Sequence, residues 1–206
     1  PHKLPDTIIS RCQTFTLARP ATAILRDMVQ DVAQREGRTI DTPAAELVAL
    51  LADGAFRDAH GILQKILGSI ETKAITAEHV QSVTGTPKSS LLIQFLDSIA
   101  TGSIDAALSC THELSTAQGN IRTTLTLLTR IVRGVLIART APTFAERIQS
   151  EYAPEEWTAI LRHAEASRAR INSTLLMRLL DAQLRTGTTY LPELPLELTV
   201  IDHLHD

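Results

Sequence analysis

Apolar residues return every third or fourth position along nearly the whole chain, and that period restricts it to helices packed on helices. Ile24, Leu25, Met28, Val29 and Val32 form the first stripe. Leu47, Val48, Leu50 and Leu51 form a second, and Ile62, Leu63, Ile66, Leu67 and Ile70 a third. Strand-like alternation shows only at Thr14-Phe15-Thr16-Leu17, too short to build a sheet alone. Aromatic residues are 3% of the chain while 44% is hydrophobic, so Leu, Ile, Val and Ala must fill the core. The reading is an all-α protein.

Punctuation places the helices. Thr42-Pro43 reads as an N-cap followed by proline, with Glu46 beyond, and Gly54 as the stop of that helix. Thr76 is placed to cap a short helix through Val80 and Val83 that ends at Gly85-Thr86-Pro87, the strongest domain boundary in the chain. Beyond it come Leu91, Leu92, Phe95, Leu96 and Ile99, then a break at Gly102-Ser103, then a helix through Leu108 and Leu114. Ile121, Leu125, Leu128, Val132 and Val135 mark a long helix, with Leu127 and Ile131 on a second apolar side. Pro154 opens a helix with Trp157, Ile160, Leu161 and Ala164 inward, and Asn172 caps one through Leu175, Leu176, Leu179, Leu180 and Leu184. Leu196, Leu198, Ile201 and Leu204 mark a closing helix. The expected organisation is a small helical bundle to about Pro87 and a larger one after it.

Charge and cysteines narrow the function. Twenty Lys and Arg stand against 23 Asp and Glu, net −3, which argues against a globally basic nucleic-acid wrapper. Cys12 and Cys110 are the two cysteines, with no Cys-x-x-Cys pair, so a zinc finger or disulfide scaffold is excluded. No apolar run reaches the length of a bilayer span and no signal peptide opens the chain, so the expectation is a cytoplasmic protein without a membrane. The chain begins Pro1-His2-Lys3 without an initiating Met, which reads as a fragment.

Three motifs resemble a known family. Pro1, Lys3, Leu4, Pro5, Thr7, Ile8, Ser10, Arg11 and Cys12 resemble the stretch just after the sensor strand in clamp-loader ATPases of the AAA+ class, where it leads into Ser-Arg-Cys. Gly54-Ala55-Phe56-Arg57-Asp58-Ala59 is similar to the Gly-Ser-x-Arg-Asp-Ala motif at the start of the third lid helix. Leu194-Pro195-Leu196-Glu197-Leu198 resembles the end of the collar domain. Together they are similar to the gamma/tau subunits of bacterial DNA polymerase III. His60-Gly61 departs from the usual Leu and Ser.

The resemblance implies an organisation. Residues 1–17 would end an ATPase core, 18–86 would be the helical lid, and 87–206 the helical collar that forms the ring. No Gly-x-x-x-x-Gly-Lys-Ser/Thr occurs, so the phosphate loop would lie upstream and the fragment alone would be inactive. ATP with magnesium is implied for the intact parent, and none bound to this piece; no metal site is expected. The implied partners are other clamp-loader subunits, joined through 87–206, and the sliding clamp and primed DNA through the intact complex.

Two arginines carry the implied chemistry. Arg11, of Ser-Arg-Cys, corresponds to the finger that reaches ATP on the neighbouring subunit. Arg57 corresponds to the sensor arginine that touches the γ-phosphate within its own subunit. Phosphoryl transfer is mostly positioning and electrostatics, and a permanently charged fork suits it. The plainer reading of Arg57-Asp58 is a solvated surface pair. The alternatives to a motor subunit are an ATP-silent structural clamp-loader subunit and a helical adaptor with no nucleotide link.

Other candidates are weaker. Arg122, Arg130, Arg133 and Arg139 lie in a stretch without acids between Glu113 and Glu146. They read either as an interface to an acidic partner or DNA phosphate, or as arginines that pair with acids on neighbouring helices or snorkel over apolar surface. The second apolar side of the same helix makes it central to its bundle or part of a subunit interface, and the family resemblance favours the interface. Cys110 reads as core. His203 and His205 read as a metal pair or a frayed end.

Overall fold

The structure, a computed structural model, describes residues 13, 18–116, 121–166, 170–187 and 189–205. It is built of helices. The first stretch holds α1 (Thr22–Arg35), α2 (Thr42–Leu51), α3 (Phe56–Ser69) and α4 (Ala77–Thr84). The second holds α5 (Ser89–Thr101), α6 (Ile104–Thr116), α7 (Ile121–Thr140), α8 (Pro142–Ile148), α9 (Pro154–Ala166), α10 (Ser173–Arg185) and α11 (Leu194–His205), with a single 3₁₀ turn at Gln149–Glu151.

In the first stretch, α1 lies on α2 and α3, and α4 closes against both of these. The buried stripe of α1 is Leu25, Val29 and Ala33. Ile24, expected inside, is 53% exposed, because the wall formed by α2 and α3 takes only one side of α1. The cap of α2 is Asp41, one residue before the expected Thr42: its carboxylate accepts from the Ala44 N–H at 2.7 Å, and Pro43 falls in the first turn. Burial raises the Asp41 pKa, and the bond from Ala44 works against that rise. At α4, Nδ1 of His79 accepts from the Thr76 N–H at 3.2 Å. Two short strands that the periodicity did not reveal, β1 (Thr39–Ile40) and β2 (Ala74–Ile75), pair in parallel and bury Ile75. Two residues are too few to show alternation. Thr14–Leu17 lies outside the described residues.

In the second stretch α7 is central. It packs on α8, α9 and α10 and touches α6, and it buries Leu125, Leu127, Leu128, Ile131, Val132 and Val135 together. Its second apolar side is therefore covered within the chain, which corrects the expectation that this side serves a subunit interface. Gly134 lets α9 come close: a Cβ there would lie 2.9 Å from Cδ1 of Ile160 and 3.0 Å from the Tyr152 hydroxyl, which donates to the Arg130 carbonyl. Leu161, Leu180, Leu184, Leu198 and Ile201, all expected inward, are exposed. In α11 the buried side is Leu196, Thr199 and Val200 instead. An outer helix meets its bundle along one line only, so the apolar residues flanking that line stay outside. Among the described residues, the buried side chains of both stretches join into one cluster.

Candidate functional site around Arg57

The connection from α2 to α3 is a sharp reversal. Ala52 ends α2, and Asp53 and Gly54 then take left-handed backbone, with φ of 44° and 79°. Aspartate tolerates that region and glycine enters it freely. A Cβ on Gly54 would also come within 3.3 Å of Cδ of Arg19. Arg19 spans the reversal, donating from Nη1 to the Asp53 carbonyl at 3.2 Å with the Asp53 carboxylate 3.6 Å away. Both side chains are largely in solvent, so this ion pair adds little stability.

Ala55 then starts α3 without a side-chain cap. Ala59, Leu63 and Ile66 are fully buried and seat the helix. That leaves Phe56, Arg57, Asp58 and His60 facing out. Among the described residues Arg57 makes no hydrogen bond or ion pair, so the surface pair with Asp58 does not form. The result is a solvated guanidinium on the first turn of a 14-residue helix whose N-terminus no side chain caps. The helix dipole and the guanidinium both attract an anion, and Asp58 in the same turn opposes one. Gly61 lies on the exposed side, where an added Cβ would meet nothing within 4 Å, so the departure from the family pattern at His60-Gly61 disturbs no packing. Arg11 lies outside the described residues.

The acid-free arginine stretch divides in two. Arg130 is largely buried and binds Glu156 of α9 at 2.5 Å, with its guanidinium 4.4 Å from the centre of the Tyr152 ring. Arg139 donates to the carbonyls of His163, Ala164 and Ile171, gathering the end of α9. Arg130 pairs with an acid on a neighbouring helix, as the pairing reading expected, whereas the half-buried Arg139 holds backbone carbonyls. Arg122 and Arg133 are exposed. Arg122 lines a cleft of about 520 Å³ with Thr22, Asp53, Gly54, Thr126 and Gln183. This cleft joins the α2–α3 reversal to α7 and α10. No sequence signal marks it, because its walls come from distant segments. Arg133 lines a smaller recess of about 210 Å³ with Arg26, Glu46 and Glu151. There Glu46 receives Arg26 at 2.9 Å, and burial raises the Glu46 pKa despite that partner.

Cys110 is half-buried against the core, and burial, with Glu113 adding, pushes its thiol up. A thiol held protonated is a poor nucleophile. Helix α11 runs to His205, the last described residue, and Nε2 of His203 lies 2.6 Å from the Arg170 carbonyl. Among the described residues no cluster of His, Cys, Asp and Glu has the makings of a metal site. No helix among them is long and apolar enough to cross a membrane.

Comparison with known proteins adds an independent line. No protein-family model matches the chain. The chain is 26% identical over 142 residues to DNA polymerase III subunit tau of Bacillus subtilis (strain 168), covering 69% of this chain and 25% of that protein. It is 34% identical over 80 residues to DNA polymerase III subunit gamma/tau of Mycoplasma pneumoniae, covering 39% of this chain and 12% of that protein. It is 34% identical over 94 residues to Protein STICHEL-like 4 of Arabidopsis thaliana, covering 46% and 10%. Among solved structures, the Bacillus subtilis DNA clamp loader delta protein aligns with 91% of this chain and 57% of its own, at a TM-score of 0.49 and 18% identity. The chain spans a quarter or less of the length of these curated relatives. Over part of its length the chain is thus similar to the tau and gamma/tau subunits of DNA polymerase III.

Proposed function

We propose that this chain is the lid and collar of a clamp-loader motor subunit, which in its intact form uses ATP to load a sliding clamp on primed DNA in the cytoplasm. In this reading residues 18–86 are the lid and 87–206 the collar that assembles with other clamp-loader subunits. The observation that carries it is the state of Arg57: solvated, without a partner among the described residues, and on the uncapped first turn of α3. An arginine with nothing to hold among the described residues is available to a ligand outside them.

The groups present fit one contact to ATP. Arg57 would hold the γ-phosphate in its own subunit, with the helix dipole behind it. Arg11 would reach ATP on a neighbour. The phosphate loop and magnesium would come from a core that this chain does not contain, and that core supplies the phosphoryl-transfer chemistry. This chain's part is to orient and to sense. The lid turn closes on a triphosphate, and its arginine loses that contact when the terminal phosphate leaves.

The test uses the intact parent subunit in its assembled ring. Arg57→Ala is expected to uncouple clamp binding from ATP while the ring still assembles. Arg11→Ala is expected to lower turnover by a large factor with nucleotide binding mostly kept; in general such a finger is worth roughly 10³–10⁵ in rate. Unchanged coupling in Arg57→Ala would remove Arg57 from the site. Unchanged turnover in Arg11→Ala would favour a helical adaptor. Hydrolysis of ATP by the purified 206-residue chain at enzyme-like rates would overturn the proposal outright.

A further inference from the structure

We propose that Glu156 is a latch that holds the first helical stretch (described from residue 18 to 84) against the second (from 87 to 205). Gly85-Thr86-Pro87 reads in the sequence as the domain boundary. In the structure Thr86 and Pro87 are buried, and the Thr86 hydroxyl lies 2.6 Å from that of Thr84. The joint is covered there, and a chain of polar groups crosses it.

Gln81 of α4 donates from Nε2 to the Ser89 hydroxyl of α5 at 3.0 Å. Ser89, 1% exposed, donates to Oε1 of Glu156 at 2.9 Å. Arg130 of α7 donates to Oε2 of the same carboxylate, and the Ala153 N–H approaches that oxygen at 3.4 Å. One carboxylate, 5% exposed, thus ties α5, α7 and α9 together, and through Ser89 it reaches α4. Pro43, Leu47, Ala77 and Gln81 of the first stretch meet Arg130, Ala153 and Glu156 around a recess of about 10 Å³, while wider clefts of about 440 and 360 Å³ flank the same joint, so the polar set rather than close packing must fix the orientation there. Hydrogen bonds to a buried charge are strong and directional, so this set specifies one relative orientation.

Glu156 acts through Ser89 and Arg130 and touches no proposed ligand, so it is a positioning residue. Its consequence for nucleotide sensing rests on the reading above: with the latch closed, a movement of α3 reaches α7 undamped. The latch itself does not depend on that reading and is testable without nucleotide.

The experiment attaches spin labels at the exposed positions Lys65 of α3 and Ser109 of α6, in a chain carrying Cys12→Ser and Cys110→Ser, and measures the distance distribution between them. The unaltered joint is expected to give one narrow distribution. Glu156→Ala is expected to broaden or split it while helical content by circular dichroism is kept. Should Glu156→Ala fail to fold, Ser89→Ala combined with Gln81→Ala applies the same criterion, because it cuts the link across the joint and leaves the Arg130–Glu156 pair. A broad distribution with the latch intact, or a narrow unshifted one in a folded latch variant, overturns the proposal and leaves the reading of Arg57 untouched.

Discussion

Arg57 and Arg130 are the same residue type on two helices of one chain, and they meet opposite fates. Arg130 is spent inside: its charge binds Glu156 and its face lies over Tyr152. Arg57 sits in water with no partner among the described residues, on a helix anchored by Ala59, Leu63 and Ile66. The interior arginine is therefore expected to be needed for the fold, and the surface one to be dispensable to it. The comparison shows that an arginine's role follows from where its compensating charge is, inside the chain or outside it.

The hardest way to break the comparison is Arg130→Ala. It leaves Glu156 buried beside an empty space, so the unfolding free energy should fall by about 3–5 kcal/mol in denaturant titration. A double variant, Arg130→Met with Glu156→Met, should recover part of that loss, since an apolar pair removes the uncompensated charge. No loss in the single variant would mean that Arg130 is as dispensable as Arg57.

A milder probe of the interior is Gly134→Ala. Helix propensity favours alanine by about 1 kcal/mol. The new Cβ, however, must displace Ile160 and Tyr152, both buried, and overpacking costs about 1–3 kcal/mol. The expected net is a small loss of stability, read as a lower thermal midpoint. A rise would show that α9 can retreat from α7.

Histidine 163 sharpens the contrast by pH. It is buried on α9 with Nε2 2.9 Å from Oδ1 of Asp97, and Arg162 lies beside it. Burial lowers its pKa below the ordinary 6.5, with Asp97 pulling the other way. The unfolded chain therefore binds the proton more readily than the folded one. The stabilising share of His163 is complete above about pH 6.5 and is lost as pH falls from there toward the lowered value. His163→Gln should flatten that part of the stability–pH curve, and an unchanged curve would place the titration elsewhere.

The smallest expected effect is on the other side of the comparison. Arg57→Ala should leave the unfolding midpoint of this chain unchanged, since the side chain is exposed and makes no hydrogen bond or ion pair among the described residues. A marked loss would mean that Arg57 is structural and would weaken its assignment to a ligand.

Helix caps and central stripes were legible in the residues because they are local. Asn172, read as a cap, accepts from the Leu175 N–H three positions on; at α4, where Thr76 reads as the cap, His79 also accepts from the Thr76 N–H, a bond that reading does not include. Cap identity at α2 slipped by one residue, because Asp41 and Thr42 are both competent and only backbone geometry chooses between them. The motif around Arg57 was legible for the same reason: Gly54 allows the turn, Ala59 seats the helix, and the arginine lies between them.

The sequence by itself determined the all-α class, the order of the helices other than the short α8 and the chemistry available at Arg57, since these rest on interactions within a turn or two of chain. Only the tertiary structure decided which apolar stripes were covered, which arginines were internal, and that Thr86 and Pro87 at the joint are buried. Those outcomes depend on partners brought from far along the chain: Glu156 meets Arg130 across 26 positions and Ser89 across 67. Local spacing carries no trace of such a meeting, because folding joins those segments through the whole core rather than through the residues between them.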